Sequence, residues 1–245
     1  MRKTPELIFS LVILLFAFAG LYLNSGIPAG KPRKNMFVYY TNLSNLLVLI
    51  YELFFYFSGL FAWKSVSGFM KNAAVSYTVA LTIFVTHIIY HYVLGAAFAR
   101  AGIERDRSEG MGEEEIKRTL LRRYMLDQIT GLSRNRYDDG RSFWGNLLVH
   151  YLVPLLSVLR WLIFSSKALA FWATLTWLVV PLAYFIFVLL RAKTGVPITK
   201  GGAMYPYPFM DRDALGERRF WRNIFIVMLA FYALGLIFYL ITLLY

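Results

Sequence analysis

Six long apolar runs constrain this chain more than any other feature: Leu7–Leu23, Met36–Trp63, Ala73–Ala99, Phe143–Phe164, Ala168–Leu190 and Phe220–Tyr245. A helix needs roughly 17–25 predominantly apolar residues to cross the hydrocarbon core of a bilayer, and each run is long enough. Trp63, Phe143, Trp144, Trp161 and Trp221 gather near the ends of the runs, where amphipathic rings sit at headgroup level. The composition agrees, at 58% hydrophobic and 16% charged against about 25% charged in soluble domains. The net charge of +12 therefore belongs to loops at a membrane surface and not to nucleic-acid binding. With no Cys in the chain, disulfides, thiolate ligands and Cys nucleophiles are excluded. The pattern predicts an all-α polytopic membrane protein, a six-transmembrane-helix bundle forming one membrane domain over residues 1–245.

Arg2 and Lys3 precede the first run, and Ala17-Phe18-Ala19 resembles a signal-peptidase site. The run is longer than the roughly 7–15 residues of a secretory h-region, so a retained first helix is expected. Twenty of the 26 Lys and Arg residues fall in the first and third loops and between Arg191 and Arg222, at the fifth loop and the edge of the sixth run. The positive-inside rule then predicts that loops 24–35, 100–142 and 191–219 are cytoplasmic. The third loop also holds nine of the 14 acids. Within it Ile116, Leu120, Tyr124 and Ile129 recur at helical spacing, which suits either an amphipathic helix on the membrane surface or a solvated helix packed on other loops.

Polar groups inside spans are costly and mark either interhelical hydrogen bonding or a site. On the second run Thr41, Asn45 and Glu52 share a face with Ser44 beside it. On the third, His87 and His91 are one turn apart. On the fourth, Asn146, His150, Pro154, Ser157 and Trp161 line one face. Pro154 has no N–H to serve the carbonyl of His150. At the helical rise, Thr41 lies about 7 Å, His150 about 10 Å and His91 about 12 Å from the ends of their runs on the third-loop side; Glu52, about 24 Å in, cannot join them. A hydroxyl and an imidazole at one depth can form a nucleophile and base. Satisfied core histidines and a proline kink would show the same spacing. No Gly-x-Ser-x-Gly elbow and no His-Glu-x-x-His motif is present.

Three segments resemble motifs of bacterial members of the androgen-induced-gene (AIG/FAR)-like membrane proteins. Tyr40-Thr41-Asn42-Leu43-Ser44-Asn45-Leu46-Leu47 is similar to their FTxxSNLL segment, and His150-Tyr151-Leu152-Val153-Pro154 to their HxxxP segment. Tyr205-Pro206-Tyr207-Pro208-Phe209-Met210-Asp211 resembles their YPYPFLD loop, with Gly216 beyond it. The animal relatives hydrolyse fatty-acid esters of hydroxy fatty acids with an intramembrane Thr nucleophile and a His base. The resemblance implies those roles for Thr41 and His150 and a lipid ester as substrate. The chain departs from the family at Arg160, where Asp is expected before Trp161, and in a longer third loop.

The leading expectation is an intramembrane lipid-ester hydrolase in the bacterial plasma membrane, with membrane lipids as its surroundings, no cofactor, no metal and no nucleic-acid partner. Asn45, Ser44, His91, Asn146, Tyr207 and Asp211 are expected to bind substrate or support the pair. Asn45 is a candidate oxyanion donor, and Asp211 a candidate either to orient His150 or to anchor its loop. The alternatives are a His-ligated metal-dependent membrane hydrolase using His87, His91 and His150, and a non-catalytic lipid-binding or transport protein.

Overall fold

The computed structural model describes residues 3–94, 103–104, 107–116, 140–166, 168–199 and 201–244. Every regular element among them is helical, and six helices are long and apolar enough to cross a membrane. The first span is Lys3–Asn24 and the second Tyr40–Leu60. The third runs Ala73–Ile88 and continues as a wider π turn, Ile89–Leu94. The fourth begins at Gly140–Leu147, widens to π geometry over Leu148–Leu152 and resumes as Val153–Phe164. The fifth opens as a 3₁₀ segment, Phe171–Leu178, and becomes α-helical over Val179–Ala192; the sixth is Glu217–Thr242. This is an all-α polytopic membrane bundle.

The second span starts later than the apolar run from Met36, because Met36–Val38 form a 3₁₀ turn and Tyr39 is extended. Of the amphipathic pattern Ile116–Ile129, all but its first residue lies outside the described residues.

The bundle is turned inside out relative to a soluble protein. Ile8, Leu15 and Phe18 of the first span and Phe225, Ile226 and Leu229 of the sixth are exposed, as lipid-facing side chains must be. Ser10, Asn45, Thr82 and Thr174 are fully buried. One apolar core joins Ile13 and Ala17 to Val48, Phe55, Ile83 and Val153, across the first four spans. A second joins Tyr77, Leu81 and Val85 to Trp161, Trp177, Val188 and Phe238, bringing in the fifth and sixth.

Small residues let the first and fourth spans approach closely. A Cβ at Gly20 would stand 2.8 Å from Val149 Cγ1 and 3.0 Å from Leu148 Cβ, and one at Gly145 would stand 3.1 Å from Leu23 Cβ. Gly20→Leu should therefore force the π turn of the fourth span outward. The expected cost is about 1–3 kcal/mol, read as a lower midpoint of thermal unfolding in detergent; a wild-type midpoint would refute the close-packing argument.

The two ends of the bundle differ. At one end Asn35 Nδ2 donates to the Ile198 carbonyl (2.8 Å) and the Tyr184 hydroxyl to the Val38 carbonyl (2.9 Å), so the first and fifth loops meet. At the other, Lys71 pairs with Glu6 at 3.4 Å. Inward from that pair, Arg160 Nη1 lies 3.3 Å from Glu52 Oε1 and Nη2 lies 3.8 Å from Glu6 Oε1. The Ser10 hydroxyl donates to Glu52 Oε2 at 2.6 Å. The guanidinium also covers the Phe55 ring at 3.9 Å. Arg160 is thus the counter-ion of the intramembrane Glu52, and two acids and two bases form a neutral cluster across the first, second and fourth spans.

Candidate functional site

Thr41 is the second residue of the second span; Asn42 and Leu43 donate their N–H groups to the Tyr39 carbonyl, which leaves those of Tyr40 and Thr41 without a partner within the helix. Thr41 Oγ1 lies 3.4 Å from His150 Nε2, the long end of hydrogen-bonding range. The other ring nitrogen of His150, Nδ1, lies 3.1 Å from the carbonyl of Asn146. A carbonyl only accepts, so Nδ1 carries the proton and Nε2 presents its lone pair to the Thr41 hydroxyl. The pair has the polarity that proton transfer from Thr41 to His150 needs.

Pro154 shapes the backbone here. Val153 N–H reaches back to the Leu148 carbonyl, a span of five residues that makes the turn around His150 π-helical. The carbonyl of His150 accepts from His87 Nδ1 at 2.9 Å, which supplies a donor where Pro154 supplies none. His87 therefore braces the backbone of His150 from the third span. π turns in helices concentrate at functional sites, and the third span has one at the same level, carrying Tyr90 and His91. Tyr90 stacks on the His150 imidazole, centroids 3.7 Å apart and planes 22° from parallel. Asn146 Nδ2 donates to the Tyr90 hydroxyl at 2.7 Å. Asn146 thereby holds His150 twice, through its own carbonyl and through Tyr90. His91 is one step further out, with Nδ1 3.2 Å from the Tyr151 hydroxyl.

Ser44 and Asn45 stiffen the second span beneath Thr41. The Ser44 hydroxyl donates to the Thr41 carbonyl at 3.0 Å and lies 2.7 Å from Thr86 Oγ1. Asn45 Nδ2 donates to the carbonyls of Thr41 (2.8 Å) and Val149 (3.0 Å). Both of its amide hydrogens are used, so Asn45 is a tie between spans and not an oxyanion donor; its remaining polar atom, Oδ1, can only accept. Asp211 also departs from one of its expected roles. Its Oδ1 accepts from Ala214 N–H at 3.0 Å as the N-cap of the short helix Arg212–Leu215. It anchors its loop, and the orienting contact to His150 Nδ1 comes from Asn146.

That loop delivers Tyr207, which is buried. Its ring packs edge-on against Tyr39, with centroids 6.4 Å apart, next to the Tyr40-Thr41 step. Burial pushes this phenol up to about 12, so at neutral pH it is a protonated donor beside Thr41.

Two cavities adjoin the start of the second span, and neither is lined by Thr41 or His150. The shared level of Thr41, His91 and His150 predicts a site cavity between the second, third and fourth spans. The narrow cavity in the structure, about 40 Å³, instead lies between Tyr40, Ile89, Tyr184, Phe185, Tyr207 and Phe231, and so opens toward the fifth and sixth spans. A wider cleft of mixed polar and apolar lining lies at the same end of the bundle, against Tyr39 and Asn42. Among the described residues no three His, Cys, Asp or Glu side chains converge as metal ligands do. His87 Nδ1 and His150 Nδ1 are engaged with carbonyls, which is not a ligand set.

His87 as a brace and Tyr90 as a stacking partner are the roles that sequence reasoning missed. Positions 87, 90 and 91 share one helix face, which is the signal available for Tyr90. No family model matches the chain, and no curated protein and no solved structure is significantly similar to it. The fold and the pair define a polytopic membrane protein with a tautomer-fixed hydroxyl–imidazole couple at one end of the bundle.

Proposed function

We propose that this chain is an intramembrane lipid-ester hydrolase of the AIG/FAR-like class. The observation that carries the proposal is the Thr41–His150 pair, 3.4 Å apart with the Nδ1 side of the ring committed to Asn146. Thr41 Oγ1 attacks the acyl carbonyl carbon while His150 Nε2 takes its proton. The oxyanion that forms is held by the Tyr207 hydroxyl and the N–H groups of Tyr40 and Thr41. The imidazolium returns its proton to the departing alkoxide, leaving an acyl–Thr41 ester. A water, deprotonated by His150, then hydrolyses that ester and regenerates the hydroxyl. The site has a backbone carbonyl where a Ser-His-Asp triad has a carboxylate. That carbonyl fixes the tautomer but adds no negative charge to stabilise the imidazolium.

A fluorophosphonate probe on the purified protein tests this reading directly. Stoichiometric labelling at Thr41, absent in Thr41→Val and greatly slowed in His150→Gln, is the expected result. Labelling that persists in Thr41→Val overturns the assignment and returns the polar stripes to a lipid-binding or transport role. Tyr207→Phe removes one oxyanion donor and should lower kcat by about 10²- to 10³-fold with little effect on KM.

On this reading the substrate is approached from the membrane, and the excess of basic residues in the first, third and fifth loops supports a site at the cytoplasmic leaflet of the bacterial plasma membrane. Reporter fusions after Gly110 and after Leu244 should report opposite sides, the first cytoplasmic. A cytoplasmic reporter after Leu244 with an external one after Gly110 would invert this orientation.

A further inference from the structure

We infer that the cleft at the mouth of the site holds a phosphate-bearing lipid headgroup, so that the ester cleaved at Thr41 belongs to a glycerophospholipid. The inference rests on the hydrolase reading for its second half only. The cleft has a volume of about 290 Å³ and is lined by Asn24, Arg33, Lys34, Asn35, Tyr39 and Asn42. One water needs roughly 10–15 Å³ of such space, so the cleft accommodates a headgroup and not just a single ion.

Its charge is entirely positive. The side chains of Arg33 and Lys34 are exposed, and neither pairs with an acid among the described residues. Arg33 is set there by the backbone. Gly26 adopts φ 75°, in the left-handed region, and a Cβ on it would come 2.2 Å from the Lys31 carbonyl. That turn brings Lys31 N–H to the Gly26 carbonyl (3.0 Å) and Arg33 N–H to the Ser25 carbonyl (2.7 Å).

The amides beside the two cations are held rather than loose. Asn24 Nδ2 donates to Asn42 Oδ1 (3.1 Å), Asn42 Nδ2 to the Met36 carbonyl (2.7 Å) and Asn35 Nδ2 to the Ile198 carbonyl (2.8 Å). Each amide nitrogen keeps a second hydrogen. A guanidinium, an ammonium and positioned amide donors are the groups that bind phosphate oxygens.

Position selects a lipid phosphate. The cleft wall includes Tyr39 and Asn42, the residues on either side of the Tyr40-Thr41 step, within about one 5.4 Å helical turn of the nucleophile. In a glycerophospholipid the acyl carbonyls lie a few bonds below the phosphorus, on the hydrocarbon side. A phosphate in this cleft therefore puts an ester carbonyl at the level of Thr41, with the acyl chains passing down into the bundle or the bilayer. A neutral ester would offer the two cations no charge to meet.

The test uses the full chain in detergent micelles. Fatty-acid release is measured from phosphatidylglycerol and from the diacylglycerol with the same chains, with p-nitrophenyl butyrate as a headgroup-free ester. Native mass spectrometry separately measures retention of the two lipids. Wild type should favour phosphatidylglycerol over diacylglycerol by about 10- to 100-fold in kcat/KM. In the Arg33→Gln/Lys34→Gln double variant that ratio should fall to about one, chiefly through KM, and the charge-retaining Arg33→Lys/Lys34→Arg double variant should keep it.

Thr41-dependent turnover of p-nitrophenyl butyrate with equal wild-type rates on the two lipids overturns the headgroup inference and leaves the hydrolase reading standing. A preference that survives in the Gln double variant also overturns it. Selective retention of phosphatidylglycerol, lost in that variant, with no Thr41-dependent hydrolysis supports the cleft as a headgroup site and overturns the hydrolase reading. Saturable binding of glycerol 3-phosphate without discrimination between the two lipids assigns the cleft to a free phosphate ester and overturns the lipid assignment.

Discussion

Exchanging His150 for Gln is expected to lower kcat/KM for ester hydrolysis by about a thousandfold or more, with the protein still inserted and folded. Gln approximates the volume of the imidazole and can still donate to the Asn146 carbonyl, which His150 Nδ1 reaches at 3.1 Å. It cannot accept a proton from Thr41 at neutral pH. Thr41→Ala removes the atom that would form the acyl bond and should have an effect of the same size. Because the two residues act as one unit, the double variant should be no slower than either single one. Fatty-acid release from lipid micelles measures all three. Losses that multiply in the double variant, or a His150→Gln protein within tenfold of wild type, would show that the pair is not the catalytic couple.

Arg160→Met is expected to cause a large loss of stability, about 3–5 kcal/mol. It strips Glu52 of a guanidinium 3.3 Å away and leaves a carboxylate whose side chain is 1% exposed. Among the described residues Ser10 then remains to it as a donor on Oε2. Glu6 is less affected, since Lys71 stays at 3.4 Å. Adding Glu52→Gln to Arg160→Met removes the orphaned charge, and most of the loss should then be recovered. This non-additivity separates an ion pair from mere packing of the Arg160 stem on Phe55. Unfolding in mixed micelles with increasing SDS reads both proteins. A double variant as unstable as Arg160→Met would mean that the guanidinium acts through packing alone. The cluster lies at the opposite end of the bundle from Thr41, so the cost should fall on stability and not on the ratio of rates between substrates.

The spans were legible because crossing a membrane is a local property. Each helix satisfies its own backbone hydrogen bonds in lipid, and run length and hydropathy are enough to find it. Their details depended on neighbours. The second helix starts at Tyr40 instead of Met36 because the preceding turn is committed to the Asn42 side chain, which donates to the Met36 carbonyl. The fifth run enters as a 3₁₀ segment over Phe171–Leu178, which its hydropathy does not signal.

Within the site, axial position and rotation had different fates. That Thr41 and His150 lie near one level was legible from their places in their runs, although the second helix opens only at Tyr40 and His150 sits in a π turn, so the α-helical rise gave their depths only approximately. Pro154 announced that the carbonyl of His150 lacked a donor, because proline's missing N–H is covalent fact. That His87 supplies the donor depends on how the third span is rotated against the fourth. Asn45 and Asp211 carry the same lesson. As residue types either could serve an oxyanion or an imidazole, but the Thr41 and Val149 carbonyls take both amide hydrogens of Asn45, and Asp211 caps Ala214. Arg160 read as a departure from a family pattern, and only the packing of the first, second and fourth spans shows it beside Glu52. The sequence by itself determined the number of spans, their approximate ends and the approximate level of the polar groups, because those follow from hydropathy, covalent structure and a nearly constant rise per residue. Which groups touch was decided by the tertiary structure alone, because contact depends on the rotation and close approach of helices whose lipid-facing and buried sides are both apolar.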